Sequence, residues 1–357
     1  MPWSTIKPDL NEPLEALTPG VGKRRITYAE AVREALCQAL AVDDSVFVMG
    51  QGVDDPSGMF GTTRGLADEF GRDRVFDTPL SESALTGIAA GAAMAGMRPV
   101  YFHNRPDFLL LAFDQLANHA AKWSYMFGGR VRVPLVVWAC TGRGWGSGPQ
   151  HSQALQGLFM HVPGLKLVMP GSCYDAKGLL LSAVKDDNPV LILDHRMNFR
   201  NMGFVPQGMY TIPLGKGVVR RTGADVTIVA VSHLVSEALL AAGELESESG
   251  IQAEVVDPRT LRPLDESLIL VSLAKTGHLV VADTGWKTGG VTAEIAALAC
   301  EKGFSSLKAP VCRVACPDLP TPSGYTLEEA YYVGKKEIKD GVYRVLDMIE
   351  PVERNVK

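Results

Sequence analysis

The sequence lacks the features that mark several classes of protein. Its 35 basic and 40 acidic residues give a formal net charge of -5 and form no long block of one sign, which a surface for nucleic acid or anionic lipid would need. The charge-free stretches 83–97 and 144–165 are either shorter than the ~20 apolar residues of a membrane helix or broken by Gly, Pro, Gln and His. We therefore expect no nucleic-acid partner and no membrane span.

Cysteine is scarce as well. The six cysteines are scattered, and the closest pair, Cys312 and Cys316, falls on one predicted strand and at its end, so we expect buried thiols in a reducing compartment rather than a disulfide or metal framework. Residues 1–25 have neither the apolar core of a signal peptide nor the acid-free amphipathicity of a transit peptide. They predict an N-terminal arm of a cytoplasmic protein.

What the sequence does contain is a repeated alternation of short apolar runs with helical patterns, which begins at Thr27. This alternation, over 357 residues, predicts an α/β protein of two domains, each a mostly parallel sheet flanked by helices. Thr27 and Glu30 have the spacing of a capping box and predict the first helix. The region 198–217 is rich in Gly and Pro and lacks periodicity. The predicted boundaries are an arm at 1–25, a first domain at 26–200, a linker at 201–217 and a second domain at 218–357.

The segment Asp-Thr-Pro-Leu-Ser-Glu at 77–82 follows a predicted strand and precedes a run of small residues up to Gly96. Ligands of open α/β sheets bind beyond the carboxyl ends of strands, which is where Glu82 falls. The residues alone leave two interpretations: Glu82 acts on a ligand, or Ser81 caps a helix whose dipole Glu82 complements. The run of small residues predicts a close backbone approach, as at a subunit contact.

A second glycine-rich segment, at 141–153, also follows an apolar strand. Its glycines would let backbone approach a ligand, and His151 could exchange protons near neutral pH. The alternative is a flexible surface loop with Ser152 as a helix cap. No Gly-x-Gly-x-x-Gly follows the first strand of either half, which disfavours a dinucleotide site.

Together these segments resemble the β subunit of thiamine-diphosphate-dependent 2-oxoacid dehydrogenases, whose decarboxylating component is built from separate α and β chains. The resemblance extends from about Ile26 to Asp347. It implies a pyrimidine-binding domain followed by a transketolase-type C-terminal domain. The motifs that carry it are Asp77–Glu82, Gly91–Gly96, Gln150–Gln153, Pro163–Lys166, Asp175–Leu179, Asp257–Leu264 and Gly289–Gly290 with Glu294.

The resemblance also implies residue roles. Glu82 matches the glutamate that hydrogen-bonds a ring nitrogen of the cofactor's aminopyrimidine, and His151 matches a histidine that assists proton transfer. Phe108 matches an aromatic residue stacked on that ring, although a core phenylalanine that opens a helix explains it equally well. The remaining matches are Leu80 for cofactor binding, Asp114 and Gln51 for a polar tunnel between paired sites, His103 and Arg143 for the substrate pocket, and Asp186 and Asn188 for a potassium ion or simply a turn before Pro189.

One motif of the two-chain enzymes is missing here. The α subunit normally supplies Gly-Asp-Gly to hold magnesium and the diphosphate, and this chain contains no Gly-Asp-Gly. The resemblance therefore implies an α partner, in a symmetric assembly of two α and two β chains.

The sequence also departs from the family. Gln51 and Phe102 stand where acids are usual, and Arg143-Gly144-Trp145-Gly146 replaces Gly-Pro-Asn-Gly.

The main hypothesis is a component that decarboxylates a 2-oxo acid and passes the acyl group to a lipoyl domain of an acyltransferase. The alternatives are a split transketolase-like transferase that acts on a ketose or another carbonyl compound, and a non-catalytic scaffold.

Overall fold

The computed structural model describes Trp3, Ile6, Pro8, residues 24–143 and residues 146–346. The rest of the predicted arm, residues 144 and 145, and the end of the predicted second domain lie outside the described residues. Within the arm, Trp3 is buried and its indole N–H donates to Asp43 at 2.5 Å.

The strands and helices alternate along the chain as the apolar runs predict. In chain order the strands are β1 (Arg25–Thr27), β2 (Val46–Gly50), β3 (Val75–Phe76), β4 (Arg98–His103), β5 (Val136–Thr141), β6 (Lys166–Val168), β7 (Val190–His195), β8 (Met202–Phe204), β9 (Val218–Arg221), β10 (Val226–Ala230), β11 (Ala253–Asp257), β12 (Thr260–Arg262), β13 (Leu279–Trp286) and β14 (Cys312–Cys316). The α-helices are α1 (Tyr28–Val42), α2 (Leu66–Phe70), α3 (Glu82–Met94), α4 (Pro106–Leu109), α5 (Ala121–Met126), α6 (Gln156–Met160), α7 (Cys173–Lys185), α8 (Leu234–Ser249), α9 (Glu266–Thr276), α10 (Val291–Lys302), α11 (Tyr325–Tyr331) and α12 (Lys335–Val345).

Two mostly parallel sheets organise the chain. The first has seven strands in the order β12-β6-β7-β5-β4-β2-β3, and the second has five in the order β14-β13-β10-β11-β9. Every pairing within them is parallel except the edge pairs β12 with β6 and β9 with β11. Helices cover both sheets, so the central strands are buried on both faces and consist of continuous apolar runs rather than alternating ones. The predicted fold class is confirmed.

Short-range expectations are only partly met. The Thr27 side chain accepts from the Glu30 backbone and the Glu30 carboxylate accepts from Thr27, so the predicted capping box is confirmed. Ser81 precedes α3 but makes no side-chain cap bond, and the nearest helix after Ser152 begins at Gln156. Ser81 therefore has only the position of an N-cap residue, and Ser152 is not a helix cap.

A buried ion cluster joins the two sheets. Asp175, on α7 of the first domain, forms ion pairs with Arg220 on β9 and with Arg259, the latter at 2.7 Å. Arg220 also contacts Asp257 at 3.0 Å, and all four side chains are at least nine-tenths buried. Two arginines and two aspartates are thereby buried together between the domains, where the arginines lower the pKa of Asp175 and burial raises the pKa of Asp257.

Candidate functional site

The predicted site residues gather beyond the carboxyl ends of the strands of the first sheet. Glu82 is the first residue of α3 and is half-buried. No described residue donates a hydrogen bond to its carboxylate, whereas its backbone carbonyl accepts from the Thr86 hydroxyl at 2.7 Å. The carboxylate lies close enough to Tyr101 to help raise the pKa of that phenol to about 12, an effect due mainly to burial. Glu82 is therefore an acceptor available to a ligand.

Phe108 and His151 are in contact. Phe108 is half-buried on the short helix α4, and the exposed His151 ring meets it edge to face, with the centroids 5.1 Å apart. α4 follows β4 and the His151 loop, residues 142–153, follows β5. Because β4 and β5 are parallel neighbours, they deliver both side chains to one edge of the sheet.

Gln51 and Leu80 line a common open cleft of about 690 Å³ with Asn104. The Asn104 amide donates to the Gln51 side chain at 3.1 Å, and Leu80 is 74% exposed. An exposed leucine two residues before Glu82 is suited to contact a flat apolar group or another subunit.

His103 lies beneath this surface rather than on it. It is 3% exposed and its ring contacts Tyr101 and the Thr86 hydroxyl, the latter at 3.3 Å from Nε2. Burial lowers the pKa of His103 to about 3, so the ring is neutral near pH 7. It supports α3 one turn after Glu82.

Arg143 and Asp114 are placed at the edges of the site. The Arg143 guanidinium lies 5.1 Å from the ring centroid of Tyr332, which belongs to the second domain. Asp114 is exposed, accepts from Asn118 at 2.7 Å and lies 3.3 Å from His119. These hydrogen bonds lower the pKa of its carboxyl.

Asp186 and Asn188 lie in the turn between α7 and β7, and Asp186 already has a cationic partner. Its carboxylate forms an ion pair with Lys166 and accepts from the Asn188 backbone at 2.9 Å. Among the described residues, no group of three or more His, Cys, Asp or Glu side chains has the arrangement of a metal site.

The outer face of α3 is exposed and made of small or apolar residues. Ile88 is 60% exposed and Met94 40%, while Gly87 and Gly91 leave the backbone between them uncovered. Such a face is unusual on a monomer and is typical of a subunit contact. No described helix is long and apolar enough to cross a membrane.

Comparison with known proteins places these features in a family. Residues 24–202 match the transketolase pyrimidine binding domain and residues 215–338 match the transketolase C-terminal domain. The beta subunit of acetoin:2,6-dichlorophenolindophenol oxidoreductase from Bacillus subtilis is 44% identical over 320 residues, 86% of this chain and 93% of the relative. The chain belongs to the family of 2-oxoacid dehydrogenase E1 beta subunits.

Two further relatives of this E1 beta family support the assignment. The mitochondrial pyruvate dehydrogenase E1 beta subunit of Dictyostelium discoideum is 40% identical over 95% of this chain and 96% of its own length. The 2-oxoisovalerate dehydrogenase beta subunit of Bacillus subtilis is 40% identical over 88% and 96%. Among solved structures, a split-gene transketolase described as an inactive beta4 tetramer has a TM-score of 0.73 and 25% identity, and it covers 91% of this chain and 99% of that chain.

Thiamine-diphosphate dependence comes with the family, and the described residues suit one half of that cofactor. Glu82 offers an unpaired acceptor for a ring nitrogen and Phe108 offers an aromatic face, so the donor set fits an aminopyrimidine. The sequence has no Gly-Asp-Gly for the diphosphate and its metal. The E1 beta assignment explains this division, because a beta subunit works with an alpha subunit. The dehydrogenase hypothesis is favoured over the transketolase-like transferase.

Two side chains at this E1 beta site, those of Arg105 and Asp107, were missed by the sequence analysis, which named Gln153 only as part of the Gln150–Gln153 motif. Arg105, Asp107 and Gln153 hold the ends of the His151 loop, with Asp107 Oδ1 accepting from the Gln153 backbone at 3.2 Å and from its side chain at 2.9 Å. Burial raises the pKa of Asp107, against the effect of these bonds. The only signal in the sequence was the position of Asp107 directly before Phe108.

Proposed function

We propose that this chain is the beta subunit of a two-chain enzyme that decarboxylates a 2-oxo acid and transfers the acyl group to a lipoyl domain of an acyltransferase. The observation that carries the proposal is the pairing of an unpartnered Glu82 with the Phe108–His151 contact at one sheet edge, in a chain of the E1 beta family. The donor is of the kind named for the relatives, either pyruvate or a branched-chain 2-oxo acid, or else an acetoin-like hydroxyketone, which has no carboxylate to lose.

Glu82 is the group that acts on the cofactor. When bound, thiamine diphosphate would supply a thiazolium carbon able to add to a 2-oxo group and to take up the electron pair left when carbon dioxide departs. The Glu82 carboxyl group would hydrogen-bond a nitrogen of the pyrimidine ring and would hold or release a proton there, as general acid–base catalysis requires. Its place at the start of α3 directs it beyond the sheet edge, and Phe108 and Leu80 would hold the pyrimidine by stacking and apolar contact.

His151 acts on the substrate side. Its exposed ring can donate or accept a proton at the reacting carboxylate or carbonyl, while its edge contact with Phe108 limits its rotation. Arg143 provides a fixed positive charge near the entrance, where it would attract the carboxylate of a 2-oxo acid. Its stacking on Tyr332 couples that charge to the second domain.

The partner is an alpha subunit that carries Gly-Asp-Gly and holds magnesium and the diphosphate. Gln51, Asp114 and the exposed face of α3 would be covered in a cytoplasmic assembly of two alpha and two beta chains. The solved split-gene transketolase, described as an inactive beta4 tetramer, supports the idea that beta chains alone lack activity. A potassium ion at Asp186 and Asn188 would have to compete with the Lys166 ammonium.

The first test is the native mass of the complex purified from its own cells, with every chain identified. A second chain bearing Gly-Asp-Gly in equal amount supports the proposal, and a lipoyl-bearing third chain supports the acyl acceptor. Recovery of copies of this chain alone contradicts it.

The second test is Glu82→Gln in the reconstituted complex. We expect normal assembly, but a loss of roughly 10²–10⁴ in 2-oxo acid turnover and in exchange of the C2 proton of bound thiamine diphosphate. The matched control is Glu248→Gln, at a glutamate whose side chain is 52% exposed on α8. Near-normal turnover in the Glu82 variant would remove Glu82 from the mechanism.

A further inference from the structure

Both ends of the His151 loop are held by one short turn. The connection from β4 into α4 places Arg105 just before the helix and Asp107 in its first turn, and Pro106 separates them. Arg105 Nη1 donates to the Gly142 carbonyl at 3.2 Å, where the loop begins. Asp107 Oδ1 accepts two hydrogen bonds from Gln153, where the loop ends.

The surroundings leave these ends little freedom. A Cβ on Gly142, whose φ is +94°, would lie 2.3 Å from Nε2 of the buried His195, so the backbone rests directly on that ring. The Thr141 hydroxyl donates to the Gln153 carbonyl at 3.3 Å and draws the two ends together. Arg105 and Asp107 are 6% and 7% exposed, so water competes little for their hydrogen bonds.

Charge explains why the two residues act as a unit. A buried guanidinium or carboxylate alone is costly, whereas a neighbouring pair of opposite sign offsets part of that cost. Arg105 and Asp107 supply one charge each on either side of Pro106. Arg105 and Asp107 each form these hydrogen bonds with the loop rather than with each other.

We propose that Arg105 and Asp107 form a two-ended clamp that positions His151 against Phe108 for the acyl-transfer chemistry. This inference rests on the proposed function, because it assigns His151 a role in turnover. Both are positioning residues: neither touches the reacting atoms, and their effect is exerted through the loop. A displacement of the loop by about 1 Å would cost roughly 10²-fold in rate.

The informative variant is the double substitution Arg105→Met with Asp107→Leu, tested in the complex with the alpha subunit. It removes both buried charges together and replaces them with apolar side chains of similar size, which is often neutral for stability. We expect its Tm to equal or exceed that of either single variant. Amide hydrogen exchange at Gln153 should nevertheless accelerate, because the acceptor of that N–H is gone.

In this double variant, kcat, KM and C2 proton exchange should change to different extents, a pattern that general destabilisation does not produce. We expect kcat for the 2-oxo acid to fall roughly 10- to 100-fold with KM changed less than about 3-fold. Exchange of the C2 proton of bound thiamine diphosphate should stay at the wild-type rate, because it depends on Glu82. The conservative single variant Asp107→Asn should keep most of the wild-type kcat. It retains the Oδ1 acceptor and alters only Oδ2, which has no partner among the described residues.

A matched control removes a buried charge far from the loop. Lys177→Met breaks an ion pair with Glu34 at 2.6 Å between α7 and α1, and should lower Tm without altering exchange at Gln153. The clamp is refuted if amide hydrogen exchange at Gln153 is as slow in the double variant as in the wild type, or if kcat stays within about 3-fold. It is also refuted if C2 proton exchange of the cofactor is lost together with kcat. If the wild-type complex turns over no 2-oxo acid, the proposed function fails, and the loop exchange still decides whether the clamp exists.

Discussion

Replacing Asp175 by asparagine should reveal how strongly the buried ion cluster holds the two domains together. The carboxylate faces Arg220 and Arg259, whose guanidinium groups are buried against the carboxyl groups of Asp175 and Asp257. Burial by itself would raise the pKa of Asp175, but the two arginines hold it below its usual value. The group is therefore ionised at pH 7, and Asp175→Asn leaves one buried positive charge uncompensated.

The expected loss follows from that charge. Removing one partner of a buried, hydrogen-bonded ion pair costs about 3–5 kcal/mol of unfolding free energy. An unfolding entropy of about 2 cal/mol/K per residue over 357 residues makes this a fall in Tm of roughly 4–7 °C. Because the cluster bridges the domains, their unfolding transitions should also separate, which raises the ratio of calorimetric to van't Hoff enthalpy above one.

Scanning calorimetry of the purified chain measures both quantities. The double variant Asp175→Asn with Arg259→Met restores the wild-type net charge of the cluster and should recover more than half of the lost Tm. Glu266→Gln, which breaks the exposed ion pair with Lys302, should leave Tm close to wild type. A Tm unchanged in Asp175→Asn, or a double variant less stable than the single one, would refute the charge-balance reasoning.

Two further predictions concern α3. His103 has a pKa of about 3 when folded and about 6.5 when unfolded, so its contribution to stability is complete above pH 6.5 and is lost as pH falls toward 3. Relative to His103→Gln, the wild type should lose about 2 kcal/mol between pH 6.5 and pH 5 in denaturant titrations, and a pH-independent difference contradicts this. Ile88→Asp, on the exposed face of α3, should leave the chain folded by circular dichroism but prevent assembly with the alpha subunit by native mass spectrometry, and normal assembly would show that this face is not an interface.

Local sequence patterns were sufficient for the central elements. Strands such as β5 and β10 are apolar except for one buried threonine each, and a strand buried on both faces is apolar along most of its length. The capping box of α1 depends on residues three positions apart, so it too is legible in the sequence. The position of Glu82 after β3 follows from the same local order of strand, turn and helix.

The short strands β8 and β12 escaped the sequence analysis because their pairing is non-local. β8 lies inside the predicted linker yet pairs with β1, and β12 leaves the second domain to pair with β6 of the first. Three-residue strands are too short to show a period of two. Their formation depends on which unpaired backbone groups the folded sheets present to them. The predicted linker at 201–217 stays a prediction.

The sequence by itself determined the alternation of strands and helices, the motifs at Glu82 and His151, and the absence of a diphosphate motif, because each depends on neighbours in the chain. Only the tertiary structure decided that His103 is a buried neutral ring and that Asp175 forms ion pairs with two arginines. It also decided that Arg105 and Asp107 form hydrogen bonds with opposite ends of one loop. These are relations between segments far apart in the chain. Whether a side chain is buried, and which charge it pairs with, is decided only when folding brings such segments together.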